Sequence, residues 1–283
     1  MLSNRLRIDG DDAYTEYGVY VEENGLNDLI AFSPLKPFPF TDWQEYDGIE
    51  ADLTAPVLNT KEVQLKLVCD GGYNKIASLL KVLSNRTYHF FYFYTLGLLY
   101  QLRLTSFSNL SGVETLQKIT LKLADDFPFK SINQSATPLS TIPTKEDYKL
   151  DGRWFTDYGV NVLQGTLAEI VKAPNVKPNL TRNISTQHGV WYASTPTITY
   201  KTKDVKLHCL MRANSFYELW NNYSALLMAL IKPNERTLYV GALGQAFKCC
   251  YKNCQVNAFY PTGKIWLDFT LTVTFIDSTR ISS

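Results

Sequence analysis

Three histidines are all the chain carries, His89, His188 and His208. They share no spacing that would gather a metal ion or pair a base with a nucleophile. A phosphate-binding glycine loop, a zinc-protease helix and a serine elbow are also missing. The paired carboxylates Asp11-Asp12 and Asp125-Asp126 fall at the ends of predicted elements, where solvated turns are expected. Catalysis therefore has no visible constellation, and neither an enzyme nor a cofactor is expected. Cysteines number five. Cys249, Cys250 and Cys254 lack the usual two-residue gap of a zinc pair and have no matching His or Cys pair elsewhere. An odd count without a secretory leader argues against disulfides, and Cys69 and Cys209 sit at core positions of predicted strands.

Excess charge is lacking too. The net charge is +1 and the pI about 7.6, which leaves no broad basic face for nucleic acid. No apolar leader core follows Met1–Arg7, so export by that route is not expected. The most apolar run, residues 89–100, falls short of the ~20 residues needed to span a bilayer and is expected to be a hairpin of core strands.

What the chain does have is a repetition. Thr15-Glu16-Tyr17-Gly18-Val19 returns as Thr156-Asp157-Tyr158-Gly159-Val160, each copy preceded by an apolar-Asp-Gly triplet at 8–10 and 150–152. The same slide of 141 (158 − 17) places Lys36-Pro37 on Lys177-Pro178 and Asp47-Gly48-Ile49 on His188-Gly189-Val190. At 142 (203 − 61), Lys61–Leu65 falls on Lys203–Leu207. At 150 (236 − 86), Arg86-Thr87-Tyr88 falls on Arg236-Thr237-Leu238, and Thr120-Leu121 falls on Thr270-Leu271. These offsets predict one insertion of eight residues (150 − 142) in the second copy, in or beside its helix. The expected organisation is a first domain at 1–127, a Pro/Ser/Thr-rich linker at 128–147 and an equivalent domain at 148–283.

Each copy carries the same periodicities. Val63, Leu65, Leu67 and Cys69 alternate with polar residues, as do Val205, Leu207, Cys209 and Met211. Leu267, Phe269, Leu271, Val273 and Phe275 form the clearest half-buried strand. Apolar residues at helical spacing predict helices over 73–84 and 215–231, the latter opened by Ser215 and Glu218 at capping-box spacing and ended by Pro233. A first strand is expected at 14–22, then strands at 49–55, 60–69, 87–94, 98–106 and 115–124. The fold class is mainly β with one helix per domain: two tandem antiparallel sandwiches or barrels. Between the first strands lie long, proline-stiffened apolar loops, 23–47 and its counterpart 164–187. Loops of this kind bury against something, either a partner or their own domain.

This order of elements resembles the tail-tube proteins of tailed bacteriophages, with the related distal tail and baseplate hub proteins. It is carried by the Asp-Gly…Tyr-Gly-Val openings (9–19 and 151–160), the long loops, the helices and the last strands (115–124 and 267–276). It covers nearly the whole chain outside the linker. The resemblance implies a structural part of a phage or prophage tail, in the virion tail and, during assembly, the host cytoplasm. Its partners would be copies of itself, other tail proteins, and DNA only by passage through a lumen, with no membrane insertion. It assigns Phe32, Leu35, Phe38, Phe40, Trp43, Ile170, Val171 and Val176 to contacts between subunits or rings. With two such domains per chain, a homotrimer forming a pseudo-hexameric ring is expected, with a hexamer as the alternative. A pair of carbohydrate-binding or adhesion modules is the other open reading; it predicts aromatic side chains grouped in a shallow groove.

Overall fold

The computed structural model describes residues 6–108, 110–113, 116–142, 145–178, 181–192 and 198–277. The first half holds β1 (Leu6–Ile8), β2 (Asp11–Asp12), α1 (Ala13–Tyr17), β3 (Val19–Val21), α2 (Asn27–Ile30), β4 (Phe40–Thr41), β5 (Glu50–Ala51) and β6 (Lys61–Asp70), then α3 (Gly72–Leu83), β7 (His89–Phe93), β8 (Leu98–Phe107), β9 (Ser111–Val113) and β10 (Leu116–Asp125). The second half holds β11 (Tyr148–Leu150), β12 (Arg153–Trp154), a 3-10 turn (Phe155–Tyr158), β13 (Val160–Val162), α4 (Thr166–Val171), β14 (Thr181–Arg182), β15 (Trp191–Tyr192) and β16 (Lys203–Ala213), then α5 (Phe216–Leu230), β17 (Arg236–Val240), β18 (Gln245–Tyr260) and β19 (Ile265–Phe275).

The main sheets run β2-β1-β7-β8-β10-β6-β3 and β12-β11-β17-β18-β19-β16-β13, the same order strand for strand, with β9 added to β10. Every main-sheet pairing is antiparallel. The fold is therefore mainly β, in antiparallel sheets of the sandwich or barrel class. Alternation produces this directly. In β19 and β16 every second side chain is buried, from Leu267 to Phe275 and from Val205 to Ala213, and these inner faces join one apolar core that runs through both halves.

The expected first strand at 14–22 is corrected. Only Val19–Val21 is strand, because Asp12 takes the N–H groups of Tyr14 and Thr15 at 3.1 Å and starts a turn of helix. Gly18 ends that helix at φ +64, and a Cβ there would overlap the Asp70 carbonyl of β6. Gly159 ends the 3-10 turn at φ +70, its missing Cβ 2.8 Å from the Arg212 carbonyl. The repeated Tyr-Gly-Val phrase is thus a buried tyrosine, an obligatory glycine stop and the first residue of a short strand.

The Asp-Gly pairs are the two-residue turns of the β1–β2 and β11–β12 hairpins, both residues at positive φ. Each aspartate also grips the neighbouring strand. Asp9 accepts from His89 Nδ1 (2.7 Å) and Phe90 N–H (2.9 Å), and Asp151 from Arg236 (2.6 Å) and Thr237 N–H (2.8 Å). Burial pulls the Asp9 carboxyl up, but the Phe90 and His89 bonds outweigh it and hold the group below its ordinary value.

These clasps correct the register of the repeat. His89 corresponds to Arg236, an offset of 147 (236 − 89), whereas Leu121 and Leu271 stay at 150 (271 − 121). Five of the eight extra residues therefore precede β17, and three lie between β18 and β19. Arg86-Thr87-Tyr88 does not align with Arg236-Thr237-Leu238.

The helices expected over 73–84 and 215–231 are α3 and α5, and the short α1, α2 and α4 were not foreseen. Ser215 caps α5 by accepting the Glu218 N–H at 3.1 Å. Glu218 does not reach back to Ser215. Its carboxylate takes the N–H groups of Asn214 (2.9 Å) and Thr141 (3.1 Å). With Asn222 accepting from Leu139 N–H and Asn221 donating to the Thr137 carbonyl, it straps the segment between the halves along α5.

Candidate functional site

Chemistry is quickly bounded. Among the described residues no group of three His, Cys, Asp or Glu side chains could hold a metal ion. All five cysteines are free thiols. Cys249 and Cys250 lie on opposite faces of β18, and burial pushes Cys250 up to about 12 and Cys254 to about 11, far from the thiolate range of a nucleophile. Among the described residues no helix is long and apolar enough to cross a membrane.

The two arms are where the molecule differs from a pair of closed sheets. The first arm runs from residue 22 to 60 and the second from 163 to 202, and they are built alike. In each, a bridge pairs two base residues, Leu35 with Leu58 and Val176 with Tyr200. Lys36 N–H donates to the Val57 carbonyl and Lys177 N–H to that of Thr199, both at 2.8 Å. Each arm ends in a small hairpin, β4–β5 or β14–β15.

A lysine closes each base. Lys61 Nζ donates to the carbonyls of Leu29 and Ala31 at 2.7 Å, and Lys203 Nζ to those of Ile170 and Lys172 at 2.5 and 2.6 Å. Both cap the C-terminal end of the short helix that starts the arm. Burial drives the Lys61 ammonium down to about 8, against the pull of Asp125. Asp125 itself is buried and its pKa raised by that burial, which corrects its reading as a solvated turn. The cavity beside this pair measures about 40 Å³. That is room for a few waters.

The first arm lies on the second half of the same chain. Leu35 N–H donates to the Lys252 carbonyl (2.9 Å), Ile49 N–H to Ile276 (3.1 Å) and Gly48 N–H to Tyr200 (2.8 Å). Tyr251 Oη donates to the Ser33 carbonyl at 3.0 Å. Lys177 is buried by the arm's tip. Its ammonium pairs with Asp42 and donates to the carbonyls of Trp43 (2.7 Å) and Gly48 (2.6 Å). Leu35, Phe38, Ile49 and Ala51 pack around Leu53, Cys250 and Ile276.

The residues assigned to contacts divide accordingly. Phe32 is buried, its ring stacked on Tyr223 at 3.9 Å, and Leu35 and Phe38 pack in the seam between the halves. Phe40 and Trp43 are exposed on the first hairpin, where Trp43 Nε1 donates to Glu50. Ile170 is buried inside the second half, and Val171 and Val176 are exposed on the second arm. Phe32 and Ile170 thus face partners within the chain. Lys61, Lys203, Lys177 and Gly48 were not anticipated as site residues. All four stood in repeated positions of the sequence, which was the available signal.

No family model matches the chain, and no curated protein matches it. A solved structure similar to it is that of SPP1 Dit (gp 19.1), described as a paradigm of the hub adsorption apparatus in phages infecting Gram-positive hosts. It is 12% identical over 95% of this chain and 97% of that one, with a TM-score of 0.32.

Proposed function

We propose that the chain is a structural component of a phage or prophage tail. Its two halves are duplicated domains with boundaries near 1–127 and 148–283, and three chains close into a pseudo-six-fold ring around the DNA channel as tail tube, distal tail or hub protein. One observation carries this reading: two sheets of identical strand order lie side by side in one chain, the arm of one laid on the other. Equivalent units in heterologous contact build rings when their rotation closes. The resemblance in element order supplies the tail setting. Electron microscopy of the purified protein tests it: rings or tubes of three chains are expected, and a strict monomer or a ring of six chains would refute the trimer.

A further inference from the structure

The first arm has its seat inside the chain, and the second arm, built to the same plan, has none among the described residues. Val176, the counterpart of Leu35, is exposed, and so are Val190, Trp191, Tyr192 and Ile198. The N–H groups of Val176, Gly189 and Val190 find no acceptor among the described residues, whereas those of Leu35, Gly48 and Ile49 are all taken by the second half. The same contrast holds at the glycines. A Cβ on Gly48 would overlap the Ile276 carbonyl, and one on Gly189 would meet nothing within 4 Å.

We propose that the second arm docks on the first half of a second copy of this chain, head to tail, in the seat equivalent to the one its own first arm fills. The inference rests on the ring reading for the identity of the partner; the seat itself follows from register. Lys252, which accepts from Leu35, lies at the break in the β18–β19 ladder between Tyr251 and Asn253. Thr105 lies at the corresponding break between Leu104 and Ser106, against β10. Ile276 follows β19 directly, as Asp126 follows β10. Tyr200 bridges Val176 as Leu58 bridges Leu35. Lys177, buried under the first arm's tip, has Lys36 as its counterpart, and Lys36 is exposed. Beside Lys36 and Val57 runs a groove of about 300 Å³ walled by Pro37, Phe38 and Pro56. Val57, which lines this groove, is exposed, and so is Phe107, two residues beyond Thr105 on β8.

The docked arm then makes a defined set of bonds. Val176 N–H donates to the Thr105 carbonyl of the second copy, Gly189 N–H to that of Leu58, and Val190 N–H to that of Asp126. The second copy's Lys36 donates to the carbonyls of Ile184 and Gly189 and to the Asn183 side chain, which stands where Asp42 does in the first arm. Each chain so offers one arm and one seat, which is the requirement for a closed head-to-tail ring.

Light scattering on the full chain tests this with three variants. Gly189→Ala spoils the arm and leaves the seat; Lys36→Glu spoils the seat and leaves the arm. Each alone is expected to stay monomeric at concentrations where the parent forms rings, and an equimolar mixture is expected to stop at dimers. Asn183→Asp, which restores the carboxylate that Lys177 meets in the first arm, is expected to tighten association several-fold, a gain that misfolding cannot imitate. Thermal melts of monomeric Gly189→Ala should stay within about 4 °C of the parent. A parent that is monomeric throughout would overturn the ring reading and this proposal together. A parent that forms rings while Gly189→Ala assembles equally well, or a mixture that remains monomeric, would overturn the arm and seat alone.

Discussion

The two arms share a plan and differ in their surroundings. Both have the base bridge, the lysine closure and the terminal hairpin. The first has its apolar side covered, with Leu35, Phe38 and Ile49 against Ile276 and Cys250; the second leaves Val176, Val190 and Trp191 open. Local sequence therefore sets an arm's shape, and the neighbour determines whether it is bound. A long apolar segment is a demand for a surface, and in this chain the demand is met once.

The largest expected effect comes from the paired glycines. Gly48→Ala places a methyl group into the Ile276 carbonyl at a left-handed backbone position, φ +70, so the tip must leave its seat. We expect a loss of at least about 3 kcal/mol in chemical denaturation, as for other sterically impossible buried sites. Gly189→Ala in the dilute chain meets only the left-handed penalty, about 1 kcal/mol. Limited proteolysis sharpens the contrast, with cleavage in 40–50 accelerated in Gly48→Ala. Equal losses in the two variants would mean that the docked state of the first arm does not persist in solution.

How much of this was legible beforehand follows from the same comparison. Alternation over 63–69, 205–211 and 267–275 depends on nearest neighbours, and the strands came out as read. The helix capped by Ser215 did too, because a cap is a local bond. The strand expected at 14–22 begins only at Val19, since the tyrosine and glycine before it suit both structures; the Asp12 cap and the Gly18 contact with Asp70 decide for helix up to Tyr17, and the latter is a contact 52 residues away (70 − 18). Arg86 and Arg236 look alike and so place the eight-residue step whole, whereas the equivalent of Arg236 is His89, a different residue gripping the equivalent aspartate, Asp9 in place of Asp151. Among the contact residues, Leu35 and Phe38 are expected to meet another subunit or ring, and the surface they meet here belongs to their own chain. That the surface is Cys250 and Ile276 of the same chain is non-local and left no mark in the arm's own sequence.

A middle-sized effect separates the two lysine closures. Lys61→Ala leaves the carbonyls of Leu29 and Ala31 without their donor at a buried site and opens a cavity the length of its stem. Relief of the buried charge returns part of this, and a net loss of about 3 kcal/mol is expected. Lys203 is only partly buried, so water replaces its ammonium at the carbonyls of Ile170 and Lys172, and Lys203→Ala should cost about 1 kcal/mol. Urea denaturation of both variants measures the gap. A Lys203→Ala loss as large as that of Lys61→Ala would show that the base of the undocked arm is as well shielded as that of the docked one.

The smallest effect is a pH dependence that only the first closure produces. The Lys61 ammonium is held down to about 8 in the folded chain, chiefly by burial, against 10.5 when unfolded. Above pH 8 the folded state has therefore released a proton that the unfolded state still binds, so this residue makes stability rise with pH. The buried thiols act oppositely. Burial raises Cys250 to about 12 and Cys254 to about 11 against an unfolded value of 9, so above pH 9 the unfolded state loses protons that the folded state keeps, and stability falls. The thiols are the same in the parent and in Lys61→Ala, so they cancel in the difference between the two, and between pH 8 and 9 that difference reports the lysine. Across that window the parent should gain on Lys61→Ala by up to about 1 kcal/mol, and the Lys203→Ala variant should track the parent more closely because Lys203 is shifted in the same direction from a partly exposed site. A difference between parent and Lys61→Ala that stays flat from pH 8 to 9 would mean that the Lys61 ammonium is solvated, and with it that the first arm is not closed over its base.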